Sequence, residues 1–455
     1  MRYMLMSEYA KEYKDSNLEC KLPDWIYYRL YNNATYVYNT ESYQLYVYNE
    51  TVKYILDQFL DWNFTLTVAE TLVNKYDFGT EENTKYELID FIISLVENKI
   101  LVENPVHAEK SSNLDKEIQI RNTYTSENQL LLAQIELTYR CQEKCKYCYC
   151  VTEKPCREEL NTLEIKQLLN ELYDMGVFNI VFTGGDPFVR KDIFEILEYA
   201  HEKRFLIDIF TNGIALTDRD IIFLKSLHLR SVQFSIYSHI PEKHDAFTQV
   251  KGSFRKTTEA IRKCIIIGIP VYIKVTFTNY NIDDAQGIFD LVRELGCMIQ
   301  IGLSVTAAND GDKNPTKYRI NDIDSYVEIM KLVNSYTKTN NYYVGNSIEN
   351  EMLCTVGTSS VYINPYGDVL ACNSLPLNCG NVRAQSIENI WRDSETLNKI
   401  RNLKKTQIRC WNECENHLYC DFCPGNALLE TGDIFSKYDE ACNLAEAKRK
   451  LYENQ

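Results

Sequence analysis

Cys141, Cys145 and Cys148 form a C-x3-C-x2-C array, three thiols within eight residues. Zinc would need a fourth ligand to close its tetrahedron. Cys150 is too near Cys148 for ordinary zinc spacing, and no histidine lies close by. Three clustered thiolates suit a [4Fe–4S] cube with one iron left unligated by protein, and an open iron can hold a small chelating molecule. A second cysteine-rich stretch runs from Cys354 through Gly367, Cys372 and Cys379 to Cys410-x3-Cys414-x5-Cys420-x2-Cys423 and then Cys442. Zinc stays open for this set, because cysteine pairs two to four residues apart also bind it. Between the two stretches, Thr183-Gly184-Gly185-Asp186-Pro187 leaves backbone groups free to approach a ligand closely. The plain alternative is a turn before a helix, with Asp186 near its N-terminus.

A regular alternation must position these groups. Strand patterns begin near Leu131, Asn179, Phe205, Arg230, Pro270 and Cys297, with helical patterns between them, as at 163–173, 193–203, 254–267 and 284–295. Six βα units predict an α/β fold with a parallel sheet. A strand over 131–137 feeds the three-cysteine loop, so the thiols fall at a strand's C-terminal end, where ligands gather in such folds. Downstream, 361–363 and 369–371 are the arms of a hairpin turning on Asn364-Pro365-Tyr366-Gly367. Up to about residue 105 the chain holds one cysteine, Cys20. Aromatic-rich alternation at 28–38 and 44–49 predicts a β-hairpin. Helical patterns at 50–60, 67–76 and 83–97 follow, then a short strand at 100–102. This makes a small winged-helix unit or a plain cap, and pattern alone serves both equally. Residues 106–129 are polar and form a linker.

Composition removes several classes. A net charge of −15 argues against a general nucleic-acid binder. The N-terminus has no long apolar stretch, and the longest apolar runs, such as 264–273, are too short to span a bilayer. The expectation is a cytoplasmic protein with neither membrane nor nucleic-acid partners. In that compartment 16 cysteines point to metal or redox chemistry rather than disulfides.

The C-x3-C-x2-C array, with Tyr147 before its last cysteine, resembles the signature of radical S-adenosylmethionine (radical SAM) enzymes. The resemblance implies a partial (β/α)6 barrel and a cube whose open iron chelates the amine and carboxylate of SAM. Cleavage of SAM then yields a 5′-deoxyadenosyl radical that abstracts hydrogen from substrate. Gly184-Gly185-Asp186-Pro187 resembles the family's GGEP motif at the SAM amine, with Asp186 replacing the commoner glutamate. Tyr147 and Ser235 are further cofactor contacts implied by the resemblance, and Thr211-Asn212-Gly213 is a turn after the third strand whose polar side chains, Asn212 among them, could reach the cofactor. Many relatives carry an arginine just after the His-Asp pair. This chain has Thr248 near that place after His244-Asp245, so no arginine contact is carried over.

The downstream cysteines resemble the SPASM extension of peptide-modifying radical SAM enzymes, which holds two auxiliary [4Fe–4S] clusters. The usual block is C-x2-C-x5-C-x3-C; here the outer spacers are exchanged. By position Cys410, Cys414, Cys420 and Cys442 would hold the second auxiliary cluster, and Cys354, Cys372 and Cys423 the first. Either Cys379 completes the first cluster or its fourth iron is open. Three clusters are therefore expected. VYN and the later LVENKILVE resemble the peptide-chaperone domain of pyrroloquinoline quinone biosynthesis, a recognition element that binds the leader of ribosomally made, modified peptides (RiPPs). The implied domains are a winged-helix recognition element at 1–105, a linker at 106–129, a radical SAM partial barrel at 130–336 and a cysteine-rich SPASM domain at 337–455. The implied activity is maturation of a precursor peptide bound by its leader, with thioether formation of the sactipeptide or ranthipeptide type as the first expectation. Carbon–carbon cross-linking and an anaerobic sulfatase-type maturase making formylglycine are the alternatives. An external donor such as flavodoxin or ferredoxin would supply electrons. No catalytic residue beyond the cluster ligands is assigned.

Overall fold

The computed structural model describes residues 19–31, 33–40, 42, 44–61, 63–76, 82–103, 128–150, 157–337 and 352–453. The expected linker at 106–129, apart from its last two residues, and Cys156 lie outside them. The chain divides into two compact units, 1–122 and 123–455.

In the first unit the strands are β1 (Glu19–Lys21), β2 (Ile26–Tyr31), β3 (Ala34–Asn39) and β4 (Gln44–Asn49). Helix α1 (Thr51–Asp57), β5 (Asn63–Phe64), α2 (Thr65–Tyr76), α3 (Glu82–Glu97) and β6 (Val102–Glu103) follow. The stretch 28–38, expected as one arm of a hairpin, spans two strands. β2 and β3 pair antiparallel, Tyr28 opposite Val37, and β4 pairs on the far side of β3. Alternation runs unbroken across this turn, so period alone does not mark it. Asn33, a residue that tolerates the left-handed conformation, takes φ 58° there. The three helices fall where their periodicity places them. Val52, Ile55, Leu56, Phe59, Val68, Leu72, Ile92 and Leu95 share a core with Cys20, Tyr28 and Val37. β6 and β5 flank β1 in a second small sheet.

The second unit is built on a nine-stranded sheet. β7 (Leu132–Glu136), β8 (Asn179–Thr183), β9 (Leu206–Thr211), β10 (Ser231–Ser235), β11 (Val271–Thr276) and β12 (Met298–Gly302) run parallel in consecutive order. Helices α4 (Thr162–Asp174), α5 (Ile193–Glu202), α6 (Asp218–Ser226), α7 (Pro241–Thr248), α8 (Ser253–Ile266) and α9 (Ala285–Leu295) connect them. All six strands begin within one residue of the positions read from sequence. A capping box starts α4: Asn161 accepts from the Glu164 amide while the Glu164 side chain returns to the Asn161 amide. After α10 (Ile323–Thr337), β13 (Ser360–Ile363) adds parallel to β7. The hairpin then continues through β14 (Asp368–Cys372) and β15 (Leu375–Asn381). The C-terminal extension thus prolongs the barrel sheet, and one hydrophobic core runs through residues of both stretches. Short helices α11 (Ile387–Asp393), α12 (Glu395–Arg401), α13 (Pro424–Thr431) and the longer α14 (Asp439–Glu453) complete it. Among the described residues no helix is long and apolar enough to cross a membrane.

Side chains alternate across the six parallel strands. Ala133, Ile135, Ile180, Phe182, Ile207, Ile209, Val232, Phe234, Val271, Ile273 and Val275 join the core with the helices. The opposite face, the interior of the partial barrel, is mixed: Gln134, Glu136, Asn179, Thr183, Asp208, Ser231, Gln233, Ser235, Lys274 and Thr276 share it with Val181, Leu206, Phe210 and Tyr272.

Candidate active site

The three-cysteine loop leaves the C-terminal end of β7 and is anchored by the end of α7. The Lys144 amide donates to the Thr248 carbonyl at 3.0 Å and the Lys146 amide to the Phe247 carbonyl at 3.2 Å. Tyr147 packs edge-on against Tyr237 and Phe247, with ring centroids 5.6 and 5.0 Å away, and its hydroxyl reaches Thr276 at the end of β11. The aromatic before the last cysteine therefore clamps the loop over the barrel mouth. The Cys145 thiol donates to Glu143 Oε2 at 3.3 Å, and Asn212 Nδ2 lies 3.0 Å from Gln142 Oε1 and 3.6 Å from Cys141 Sγ.

The two glycines are required by close packing. Gly184 has φ +134°, and a Cβ there would stand 2.3 Å from the Thr138 carbonyl oxygen. A Cβ on Gly185 would stand 2.3 Å from that of Arg140. The backbone of this turn is pressed against the segment leading into Cys141, and the Gly185 and Asp186 amides donate to Thr138 and Arg140. Asp186 is fully buried. One oxygen accepts from the Phe188 amide at 3.0 Å, capping the short helical turn at Pro187–Val189. The other accepts from Thr211 Oγ1 at 2.7 Å and the Asn212 amide at 2.9 Å. The Asp186 side chain is thereby committed to joining the β8 and β9 ends; what this turn leaves for a ligand is main chain. Ser235 ends β10 in register with Lys274 of β11.

His244 and Asp245 serve the scaffold. The Tyr237 amide donates to His244 Nδ1 at 3.3 Å. Asp245 accepts from Ser253 Oγ at 3.0 Å and the Phe254 amide at 2.9 Å, fixing the start of α8.

The thiols sort into three groups that feel one another's charge. Cys141 and Cys145 are each raised by Cys148 in addition to burial, which takes Cys141 to about 12. Cys372, pushed up to about 11 by burial, is raised further by Cys423 and Cys354. Cys420, raised to about 12 by burial, feels Cys442, Cys410 and Cys414. Cys372 closes β14, Cys423 caps α13, and Cys442 lies in the first turn of α14. These elements bring together cysteines as far apart in sequence as Cys354 and Cys423. Every described cysteine is a free thiol. Among the described residues no three His, Cys, Asp or Glu converge tightly enough for a single metal ion. Groups of three and four thiols near enough to act on one another's charge, with a glycine-lined turn beside the first, are a donor set of the kind iron–sulfur clusters use.

Cys379 sits elsewhere. Its thiol donates to the Leu377 carbonyl at 3.4 Å in β15, and Ala371, Arg401 and Ser394 act on it rather than another cysteine. Cys264 is buried in the barrel core, and Cys297 packs against that core.

Cys150, too near Cys148 for ordinary zinc spacing, packs beside the three-cysteine loop. It is buried, hydrogen-bonds Cys148, and lies 3.5 Å from Glu136 Oε1. Glu136, fully buried at the end of β7, accepts from the Tyr149 hydroxyl at 3.1 Å, with Tyr139 and Tyr362 close enough to act on it. Burial pushes this carboxyl's pKa up. Its position, five residues before Cys141 on an alternating strand, was the one sequence signal that it faces the barrel interior.

Residues 135–292 match the radical SAM superfamily, and residues 354–423 match SPASM, an iron–sulfur cluster-binding domain. An AdoMet-dependent heme synthase of Nitratidesulfovibrio vulgaris is 27% identical over 327 residues, spanning 66% of this chain and 88% of its own length. One of Methanosarcina barkeri is 26% identical over 331 residues, 66% of this chain and 93% of its own. Among solved structures, Streptococcus suis SuiB bound to precursor peptide SuiA superimposes with a TM-score of 0.61 at 15% identity, covering 93% of this chain and 99% of that one. anSMEcpe with bound AdoMet gives 0.55 at 14% identity over 71% of this chain and 93% of that one. The cysteine loop at a strand end of the parallel sheet and these matches make the chain a radical SAM enzyme with a C-terminal iron–sulfur cluster-binding domain.

Proposed function

We propose that this enzyme is a maturase of a ribosomally made precursor peptide, forming a thioether between a cysteine sulfur and a peptide carbon. The observation that carries this reading is the first unit. A barrel with auxiliary clusters needs no separate hundred-residue body, yet the fold shared with SuiB extends over 93% of the chain, against 71% for anSMEcpe. Among the described residues β2 and β4 are the edge strands of their sheet, and β4 is the more exposed of the two. An extended leader can add to such an edge, with backbone bonds giving affinity and side-chain pockets giving specificity. In this reading residues 1–105 are the recognition element, joined through 106–129 to the barrel at 130–336 and the SPASM domain at 337–455.

Cys141, Cys145 and Cys148 would hold the radical cluster, while Tyr147, Asn212, Ser235 and the Gly184–Pro187 main chain would contact SAM. Cys410, Cys414, Cys420 and Cys442 would hold one auxiliary cluster, and Cys354, Cys372 and Cys423 the other. Cluster and SAM, when bound, supply a carbon radical that takes a hydrogen atom from substrate. Cys379, turned toward Leu377, is left outside that ligand set, and a cluster held there by three thiolates would have room for a substrate thiolate. Thioether closure removes two hydrogens from the peptide, one as the abstracted atom and one as the thiol proton. An auxiliary cluster held by the downstream cysteines would supply an acceptor for the surplus electron, and a flavodoxin- or ferredoxin-type donor would supply the reducing electron. A carbon–carbon cross-link or formylglycine formation would use the same machinery.

Deleting residues 1–105 tests this. Reductive SAM cleavage should persist, while modification of a leader-bearing precursor should fall by about a hundredfold or more, the loss of a micromolar leader contact. Equal modification with and without these residues would refute the recognition role. A second reading rests on the heme synthase relatives, at 26–27% identity. It predicts a heme-forming reaction that needs no leader.

A further inference from the structure

Three cations are interleaved with the cysteines of the first loop: Arg140, Lys144 and Lys146. The one acid among them, Glu143, is only 4% exposed, so the charge that the loop turns outward is positive. Arg140 and Lys144 are exposed, and Lys146 is half-buried with its ammonium 4.7 Å from the Tyr280 ring centroid. The same edge continues onto α8. The Gln249 side-chain amide donates to the Lys144 carbonyl, which holds the turn before α8 against the cysteine loop. Lys251 lies on that turn, and Arg255 and Lys256 follow in the first turn of the helix, all three exposed.

This arrangement costs stability. A helix N-terminus favours acids and disfavours cations, yet the first turn of α8 holds no acidic residue. The nearby Asp245 does not neutralise the edge, because its carboxylate is taken by the Gly252 and Phe254 amides and the Ser253 hydroxyl. Among the described residues Lys144, Lys251 and Lys256 enter no ion pair. In a chain of net charge −15, unpaired charge of the minority sign, gathered on one edge, makes a local field that attracts an anionic surface.

We infer that this edge, from the cysteine loop to the start of α8, is the docking surface for an acidic one-electron carrier protein. Position selects the partner. Lys144 and Lys146 flank Cys145, and Arg140 precedes Cys141, so a protein resting on these cations is one residue away from half-buried thiols of the loop. Charge selects it as well. Encounters between electron carriers are small and transient, and complementary potentials steer them, so a carrier whose redox group is ringed by Asp and Glu fits this edge. The reduced carrier gives up one electron and a cluster held by Cys141, Cys145 and Cys148 takes it; no bond forms or breaks. The inference rests on that proposed cluster and not on the peptide reading.

The test uses reconstituted full-length enzyme as wild type, as the double variant Lys144→Glu/Lys251→Glu, and as Lys331→Glu/Lys399→Glu, a control of equal charge on α10 and α12. Iron content confirms that each is intact, and the Lys144 amide that anchors the loop is kept. A flavodoxin serves as the acidic carrier. Its binding is titrated at low and high salt, and reductive SAM cleavage is driven once by its hydroquinone and once by dithionite. The double variant should bind flavodoxin about tenfold or more weakly at low salt, and flavodoxin-driven cleavage should fall by a similar factor below saturation. Dithionite-driven cleavage should not change. Wild-type and control affinities should fall as salt is added, and that of the double variant should respond little. Failure of the cluster assignment would show separately, as wild type that cleaves no SAM with dithionite, with the binding titration still decisive. No flavodoxin binding by wild type, equal binding by the double variant, equal weakening by the control, or equal loss of cleavage with both reductants overturns the docking surface.

Discussion

At the scale of the residue, the site is made of groups that share labour between chemistry and support. Asp186 shows it best. Sequence marks it as the acid of a ligand-binding turn, yet its carboxylate is spent on Thr211, Asn212 and Phe188, and the glycines before it earn their place through backbone contact. His244 is support throughout. It is fully buried, and burial lowers its pKa from 6.5 to about 4. Above pH 6.5 it is neutral folded or unfolded, so its contribution is fully present. As pH falls from 6.5 toward 4 the unfolded chain takes up the proton first, and stability drops by about 3 kcal/mol from this group. Urea midpoints at pH 7 and pH 5 should differ clearly for wild type and less for His244→Asn, which keeps an acceptor for the Tyr237 amide. An unchanged pH dependence in the variant would assign the acid sensitivity to other groups.

At the scale of the element, what the sequence disclosed was whatever depends on period. The six strands and their helices follow from alternation and amphipathicity, and they carry the loops to one end of the sheet. Spacing grouped the cysteines of the first loop, because all three lie on one turn. It could not show that Cys372, at the end of β14, meets Cys423 at the cap of α13, since that depends on how a hairpin packs on a helix; resemblance supplied that grouping. Nor could it show Cys150 turned toward Glu136 and Tyr149, because two-residue offsets on an irregular loop have no fixed face. The β2–β3 turn was missed because Asn33 interrupts no alternation.

The grouping of thiols carries its own prediction. Anaerobically reconstituted protein should hold about twelve irons, falling to about eight without Cys141, Cys145 and Cys148. Cys379→Ala should leave both the count and the substrate-free spectrum unchanged. A spectrum altered by Cys379→Ala would make that thiol a ligand, and about four irons with zinc bound would remove the auxiliary clusters.

At the scale of the whole molecule, the chain pairs two compact bodies, 1–122 and 123–455, with separate cores. The SPASM extension is continuous with the barrel sheet through β13 on β7, so it and the three-cysteine loop are built on one sheet. The first unit brings sheet edges and a core of its own, free of the cysteine array. In the proposed reading one body would hold a leader and the other would act on the core peptide. The most direct test is to reduce the reconstituted enzyme with SAM and any short cysteine-containing peptide found encoded beside its gene, and to weigh the products. The account predicts a peptide lighter by one pair of hydrogens, 5′-deoxyadenosine formed in matching amount, and both lost when Cys141, Cys145 and Cys148 are replaced by Ala. SAM cleavage with every such peptide unchanged in mass, and a heme precursor altered instead, would contradict it.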